Sequence, residues 1–521
     1  MSYINDPNYQ TILRRRRSRR RRHNMIEKAL KALLFLAVVL IIGVGGFFIV
    51  KAVKNHQNAS NPGIFDETSP ASPDSETPEL SIPSGTENAP AEDSLTALLS
   101  QADRLAAGYD YDRAIALLTS SPEYSGTQEV ADAVAGYEAV KSTLVEADVS
   151  QVTHVFFHSL IMDTSKAFDG DAQAKGYNSV MTTKDEFLKI LNEMYNRGFV
   201  LVRLHDLAYE TTDENGQTVM KKGSILLPEG KKPFVMSQDD VCYYPYMEKD
   251  GFARRIVIGE DGKPTTEMVM EDGSISTGPY DLIPILEDFI EEHPDFSYKG
   301  ARAIIAFTGY EGILGYRTAA SYSDSPDYEQ DREQAAKVAQ CLRDNGWELA
   351  SHSWGHLWMG VSSVPGETFK ISDERFYTDT DKWEAEVESL IGPTDIYIYP
   401  NGNDVADWRP YTEDNYRFKY LYSKGFRYFC NVDASKPAWI QKGSDHLRMA
   451  RRNLDGYRLY EDMIQTDPSK KRLSDLFDAS QIFDASRPTP VTWSYTQNEA
   501  AADASAPAAP ETVPSESAAS Q

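Results

Sequence analysis

Cysteine is scarce in this chain. Its 521 residues include three, Cys242, Cys341 and Cys430. Three cysteines are too few for a disulfide framework in a protein of this length, so buried thiols are expected, although a single bridge between two of them stays open. An apolar core must therefore supply the stability, and a hydrophobic composition of 41% is enough for a sizeable core.

Positive charge is scarce outside the N-terminus. The formal net charge of the chain is −26. Residues 1–54 hold twelve Lys and Arg residues against Asp6 and Glu27, so the rest of the chain carries −36. Such an acidic surface repels a phosphate backbone, which argues against a nucleic-acid partner.

Long apolar runs are also scarce, and one stands out at residues 32–50. At helical rise it is about long enough to cross a membrane. Eight arginines precede it within residues 14–22. The positive-inside rule then predicts a basic cytoplasmic segment at 1–28 and a single transmembrane helix at 29–53, with the following chain outside the plasma membrane. A cleaved signal peptide is the alternative, but the run is long for one and no clear cleavage site ends it.

Two segments lack the large apolar residues that a core needs. Residues 54–93 are rich in Ser, Pro and Glu and predict a disordered linker, and residues 496–521 predict a disordered Ala/Pro/Ser tail. Between the linker and the main domain, residues 94–148 place leucines and alanines at helical spacing on both sides of Gly108. This pattern predicts a small helical hairpin.

Residues 150–495 alternate strand-like apolar runs with helical stretches, which predicts an α/β domain of barrel type. The strand-like runs include 152–157, 234–238 and 303–307, and the helical stretches include 183–197 and 331–345. The polar, glycine-containing stretch 247–277 predicts an inserted β-hairpin.

The chemistry-bearing residues follow two of the strand-like runs. Asp239 and Asp240 close the run at 234–238, and His352 and His356 follow a run at 347–350. On a helical turn the two histidines would project from one face and bind one ion, with Asp240 as third ligand. Asp239 would stay free to accept a proton from water. A bound metal and a nearby base are what metal-assisted hydrolysis requires. Two histidines and a carboxylate also suit non-haem iron oxygenases, so that chemistry stays open.

These residues resemble the polysaccharide deacetylases, the NodB-homology domain of carbohydrate esterase family 4, over residues 150–480. The likeness is carried by the strand ending in His158, the helix and strand at 183–202, the Asp pair, the His pair and the segment 399–402. The fold class that it implies is a distorted (β/α) barrel of the polysaccharide deacetylase type, here preceded by a transmembrane helix and a small helical segment.

The resemblance implies removal of N-acetyl or O-acetyl groups from a cell-envelope polysaccharide, such as peptidoglycan or an N-acetylglucosamine polymer, with a divalent metal for which zinc is expected. Asp239 is then the base, and the ligands are Asp240, His352 and His356. Tyr399, Pro400, Asn401 and Gly402 match the family's substrate-groove segment, and Trp354 is a candidate for stacking on a sugar.

Two family features are missing. Ile398 stands where the family has the arginine that holds the base, and Arg451 is the expected replacement, with Arg448 and Arg452 as alternatives. No Leu-x-x-His motif supplies the general acid, and His446 is the candidate for that role. If nothing fills these roles, the chain is instead a non-catalytic carbohydrate-binding or scaffold protein that retains the fold.

Overall fold

The computed structural model describes residues 94–361 and 369–493. The predicted basic segment, transmembrane helix, linker and tail lie outside these residues. Within the described ranges, no helix combines the length and the apolar character that crossing a membrane requires.

The strands of the described chain are numbered in sequence order. They are β1 (Val145–Glu146), β2 (Thr153–Phe157), β3 (Phe199–Leu201), β4 (Ala208–Thr212), β5 (Thr218–Lys222), β6 (Leu226–Leu227), β7 (Lys232–Gln238), β8 (Arg255–Ile258), β9 (Pro264–Val269), β10 (Ile275–Gly278), β11 (Ile304–Phe307), β12 (Glu348–Ser351), β13 (Ile396–Ile398), β14 (Tyr428–Val432), β15 (Ile440–Lys442) and β16 (Leu447–Asn453).

The α-helices are numbered in the same way. They are α1 (Ser94–Ala107), α2 (Tyr111–Thr119), α3 (Gln128–Lys141), α4 (Thr164–Ala167), α5 (Ala174–Val180), α6 (Lys184–Asn196), α7 (Leu204–Leu207), α8 (Leu282–Glu292), α9 (Tyr328–Asp344), α10 (Asp373–Trp383), α11 (Ser389–Ile391), α12 (Tyr416–Lys424), α13 (Gly456–Ile464) and α14 (Ala479–Ile482).

Seven parallel strands close into a barrel, which confirms the predicted α/β barrel architecture. Their order around the ring is β11, β12, β13, β14, β16, β2 and β7, and β7 pairs with β11 to close it. β3 and β11 pair with the same edge of β7. β3 pairs with the first half of β7, and β11 pairs with its second half. Helices such as α6, α8 and α9 connect the strands, as parallel pairing requires.

The alternation of side chains along each strand divides the core into two parts. Residues such as Val235, Ile304, Ala350, Ile396 and Met449 form one buried cluster that draws on every side of the ring. Their sequence neighbours pack instead with residues of the surrounding helices in a second, larger cluster. Because successive strand residues point to opposite faces, the first cluster fills the barrel and the second lies between strands and helices.

Two peripheral parts differ in detail from their sequence expectations. The segment expected as a helical hairpin contains three helices, α1 to α3, around a small core that includes Ala102, Leu118 and Val130. The insertion expected as a two-stranded hairpin is a three-stranded antiparallel sheet of β8, β9 and β10. Its third strand, β10, has an exposed and intermediate burial pattern, so it carries no apolar run that would reveal it.

The cysteines are all free and buried. The expectation of buried thiols is confirmed, and no bridge forms between any two of the three. Burial raises the pKa of the Cys242 and Cys430 thiols to about 12. They therefore behave as small apolar core residues and not as nucleophiles.

Candidate metal centre and catalytic pocket

The barrel collects polar side chains at the carboxyl ends of its strands. His158 follows β2, Asp239 follows β7 and His352 follows β12, while Arg451 lies in the last part of β16. Each lies two or four residues beyond a side chain that faces the barrel interior, so each points to that same side of the sheet. Parallel strands end at one mouth, so these four side chains meet there and line a pocket of about 540 Å³.

Three residues at this mouth can hold one metal ion. A ligand atom from each of Asp240, His352 and His356 lies within 4.8 Å of the others. The Nε2 atom of His352 is 3.9 Å from Asp240 Oδ1, and the Nε2 atom of His356 is 3.8 Å from Asp240 Oδ2. The predicted ligand set is therefore assembled in space from two loops far apart in sequence.

The protonation and hydrogen bonding of these residues fit a divalent cation. His352 Nδ1 donates to the backbone oxygen of Ile398 at 2.9 Å, which leaves Nε2 as the coordinating atom. Burial lowers the pKa of His352 and of His356 to about 4, so both imidazoles are neutral and able to coordinate. Asp240 Oδ1 is buried without a hydrogen-bond partner, as expected of an oxygen reserved for a ligand.

The turn between the two histidines is not helical, which corrects the expected geometry. Ser353 and His356 have φ values of 58° and 53°, in the left-handed region. The carboxylate of Asp379, from α10, accepts the backbone N–H of Trp354 at 2.8 Å and that of Gly355 at 2.7 Å. Asp379 thus holds the tight turn that brings the imidazole rings to a centroid distance of 5.0 Å.

Asp239 is paired with a buried cation. Arg451 Nη1 donates to both carboxylate oxygens of Asp239, at 2.7 and 2.9 Å. Burial by itself would raise the pKa of Asp239, but the charge and hydrogen bonds of Arg451, together with His352 and His158, outweigh burial and hold that pKa well below its usual range. Asp239 is therefore ionised at any pH near neutrality.

Arg451 is itself fixed in place. Its Nη1 atom also donates to Ser237 Oγ at 3.1 Å, and its guanidinium lies 4.2 Å from the ring centroid of Phe156. The other two candidate arginines occupy the outward register of β16. Arg448 pairs with Asp404 at 2.8 Å and Arg452 pairs with Asp475 at 2.7 Å, so neither reaches Asp239.

The segment 399–402 reaches the pocket in part. Asn401 and Gly402 line it, whereas Tyr399 and Pro400 are buried behind it, with Tyr399 Oη 2.7 Å from Tyr411 Oη. Gly402 has a φ of 65°, and a Cβ there would lie 2.4 Å from the Cβ of Val432. Only glycine allows this approach, which brings the turn close to β14.

Two predicted site residues are not brought to the pocket, and their assignments are corrected here. Trp354 turns its indole away, and Nε1 donates to Glu386 at 3.1 Å. His446 precedes β16 and lies five residues before Arg451, a separation of about 16 Å along a strand. Its ring packs on Phe418 at 4.9 Å, near the opposite end of the barrel, so it does not replace the missing acid.

Several pocket residues were given no site role from the sequence. His158, Asp455, Tyr457, Arg458 and Trp493 all line the pocket. His158 was noted only as the end of a strand, although a site role could have been predicted for it because it follows an apolar strand-like run just as Asp239 does. The other four lie after β16, whose position was not recognised.

No protein-family model matches this chain, and no curated protein matches it. Among solved structures, a de-N-acetylase from Aggregatibacter actinomycetemcomitans is similar, with 16% sequence identity and a TM-score of 0.31. The similarity covers 58% of this chain and 95% of that chain. The case for a function therefore rests on the geometry of the metal centre.

Proposed function

We propose that this chain is a metal-dependent hydrolase that removes N-acetyl groups from amino-sugar units of a cell-envelope polysaccharide, such as peptidoglycan or an N-acetylglucosamine polymer. One observation carries the proposal. Asp239, ionised and held by Arg451, lies 3.7 Å from the Nε2 atom of the ligand His352, in a pocket open to a substrate. Metal-assisted amide hydrolysis needs a base in this position.

Asp240, His352 and His356 would hold the ion, and their two nitrogens and one oxygen suit zinc. A zinc ion held by these residues would supply a lowered pKa of water and a polarised acetamide carbonyl. Asp239 takes the proton of the attacking water, while Arg451 keeps the Asp239 carboxylate ionised and correctly turned.

The leaving amine needs a proton when the carbon–nitrogen bond breaks. His158 lines the same pocket, and its Nδ1 atom donates to the backbone oxygen of Val180 at 3.0 Å. This bond leaves Nε2 as the atom available to the substrate. We assign to His158, in its imidazolium form with a proton on Nε2 as well, the proton donation that His446 is too distant to perform.

The alternative of a non-catalytic carbohydrate-binding protein was based on two missing groups, the arginine that holds the base and the general acid. Arg451, the expected replacement, supplies the arginine's contact with Asp239, and His158 is the candidate acid. The hydrolase is therefore the better supported function. An N-terminal anchor at residues 29–53 would keep the pocket beside the cell envelope, where such polymers lie.

Acetate release tests the proposal directly. The full-length protein, loaded with zinc, is incubated with N-acetylglucosamine oligomers and with peptidoglycan, and acetate is quantified beside an Asp239→Asn control. Acetate is expected from at least one polymer and not from the control. A folded, zinc-loaded protein that releases no acetate from either would overturn the hydrolase assignment, and selective retention of iron would favour oxygenase chemistry instead.

A further inference from the structure

We infer that the pocket contains a second subsite, formed by Tyr457, Arg458 and Trp493, which binds an anionic sugar next to the acetamido sugar that is hydrolysed. This inference rests on the proposed function for the nature of the polymer. It adds that the substrate is an acidic polysaccharide.

The subsite is built on the first turn of α13. Asp455 caps this helix by accepting the backbone N–H of Arg458 at 2.8 Å. Tyr457 and Arg458 line the pocket together with the metal ligands. The ring of Tyr457 meets that of Trp493 at 5.1 Å and 62°, and 39% of Trp493 is exposed. The exposed indole of Trp493 and the half-buried ring of Tyr457 offer an apolar face to a sugar ring.

Arg458 differs from the three arginines of β16. Arg448, Arg451 and Arg452 each pair with a carboxylate. In the part of the chain that the structure describes, no carboxylate forms an ion pair with the Arg458 guanidinium, and the neighbouring Asp455 accepts the backbone N–H of Arg458 instead. A guanidinium is always charged and pairs most strongly with a carboxylate or a phosphate.

The charge around Arg458 continues beyond the pocket. Arg458 also lines a neighbouring cavity of about 520 Å³, together with Lys436, Lys470, Lys471 and Arg472. Three acidic residues, Glu461, Asp462 and Asp475, line the same cavity, and Asp475 is already paired with Arg452. Five basic residues against three acidic ones give this cavity an excess of positive charge, on a chain whose net charge is −26.

This arrangement fits a polymer in which acetamido sugars alternate with anionic sugars. The acetamido sugar reaches Asp239 and the metal ligands, and its neighbour stacks on Tyr457 and Trp493 while its anionic group pairs with Arg458. That group is a carboxylate or a phosphate carried by the sugar, since both present oxygens to a guanidinium in the same way.

The test compares three oligosaccharides of equal length with the full-length zinc enzyme. One is a neutral N-acetylglucosamine oligomer, one carries a carboxylate on alternate sugars, and one carries a phosphate there. We expect a higher kcat/KM for an acidic oligomer, and the two acidic arms show which group is preferred. Arg458→Gln should lower the acidic-to-neutral ratio of kcat/KM by about 10- to 100-fold.

Arg113→Gln is the matched control, because it removes one positive charge from a side chain that is 73% exposed and lies outside this pocket. It should leave the ratio unchanged. Acetate release from neutral and acidic oligomers with equal kcat/KM, unaltered in Arg458→Gln, would overturn the inference while the hydrolase function stands.

A binding measurement tests the subsite independently of acetate release. With the Asp239→Asn variant, calorimetry should show tighter binding of an acidic oligomer than of the neutral one, and Arg458→Gln should abolish that difference. This result would support the subsite even if no acetate were released. Equal binding of all three oligomers would reject it.

Discussion

Arg451 reaches Asp239 across an intervening strand. Arg451 belongs to β16 and Asp239 follows β7, and β2 lies between these strands in the barrel. The guanidinium passes over Phe156 of β2 and donates to Asp239 at 2.7 and 2.9 Å. Asp239 and Arg451 are thus joined by the closure of the barrel and not by a shared sequence motif.

Replacing Arg451 should abolish turnover without removing the metal. Arg451→Gln leaves Asp239 without its charged partner, so kcat/KM should fall by about 10²- to 10⁴-fold, and Arg451→Lys should lose less. Steady-state acetate release and metal content check this. Arg452→Gln is the control, since Arg452 lies next in the same strand but pairs with Asp475. Equal loss of activity per folded molecule in both variants would contradict the role of Arg451.

Substitutions of the proposed metal ligands and of the proposed base should differ in their effect on bound zinc. His352→Ala and His356→Ala should each lose most of the bound zinc, because two ligands hold zinc far more weakly than three. Asp239→Asn should keep the zinc and lose turnover. Elemental analysis of the purified, folded variants measures this, and the assignment is wrong if all three bind the same amount.

Asp379 should affect metal affinity although it touches no metal ligand side chain. Its two oxygens hold the backbone of Trp354 and Gly355 between the histidines. Asp379→Ala should weaken zinc binding by about 10- to 100-fold, and Asp379→Asn, which keeps one acceptor, by less. Chelator competition measures the affinity. Asp381→Ala, on the same helix but directed to Lys424, should leave it unchanged.

The barrel end opposite the pocket should make stability depend on pH. Burial opposes the charge of His205, but Glu348 and Asp395 outweigh it and raise the pKa of His205 to about 10. A pKa raised in the folded state stabilises the protein fully below about pH 6.5, the ordinary value, and progressively less as the pH rises through the folded value.

The variant His205→Gln isolates this effect. The difference in unfolding free energy between wild type and variant should be largest at pH 6, smaller at pH 8 and nearly absent above pH 10. Urea denaturation at these values provides the measurement. A difference that stays constant with pH would show that His205 is not charged in the folded protein.

The strands that were predicted from the sequence share one property. β2, β7, β11 and β12 are buried on both faces, so each reads as a near-continuous apolar run. The Asp pair and the first His could be placed because they directly follow such runs. The local turn at His356 could not be, since its left-handed backbone depends on Asp379, contributed by a helix further along the chain.

β16 shows why the rest of the site could not be predicted from the sequence. Three of its seven residues are arginines, so it does not look like a buried strand, yet all seven are buried. Their charges are neutralised by Asp404, Asp475 and Asp239. Asp239 lies 212 residues from its partner, and no local pattern reveals such a pairing. Without the position of β16, the end of the barrel to which His446 belongs could not be determined either.

The place of β16 in the chain sets an order of events during synthesis. All three metal ligands have been made once residue 356 is complete, but Arg451 follows almost a hundred residues later. A nascent or truncated chain that ends before β16 possesses every ligand and lacks the cation that prepares the base. Under the proposed function, such a chain is inactive, because Asp239 has no cationic partner until β16 joins the barrel.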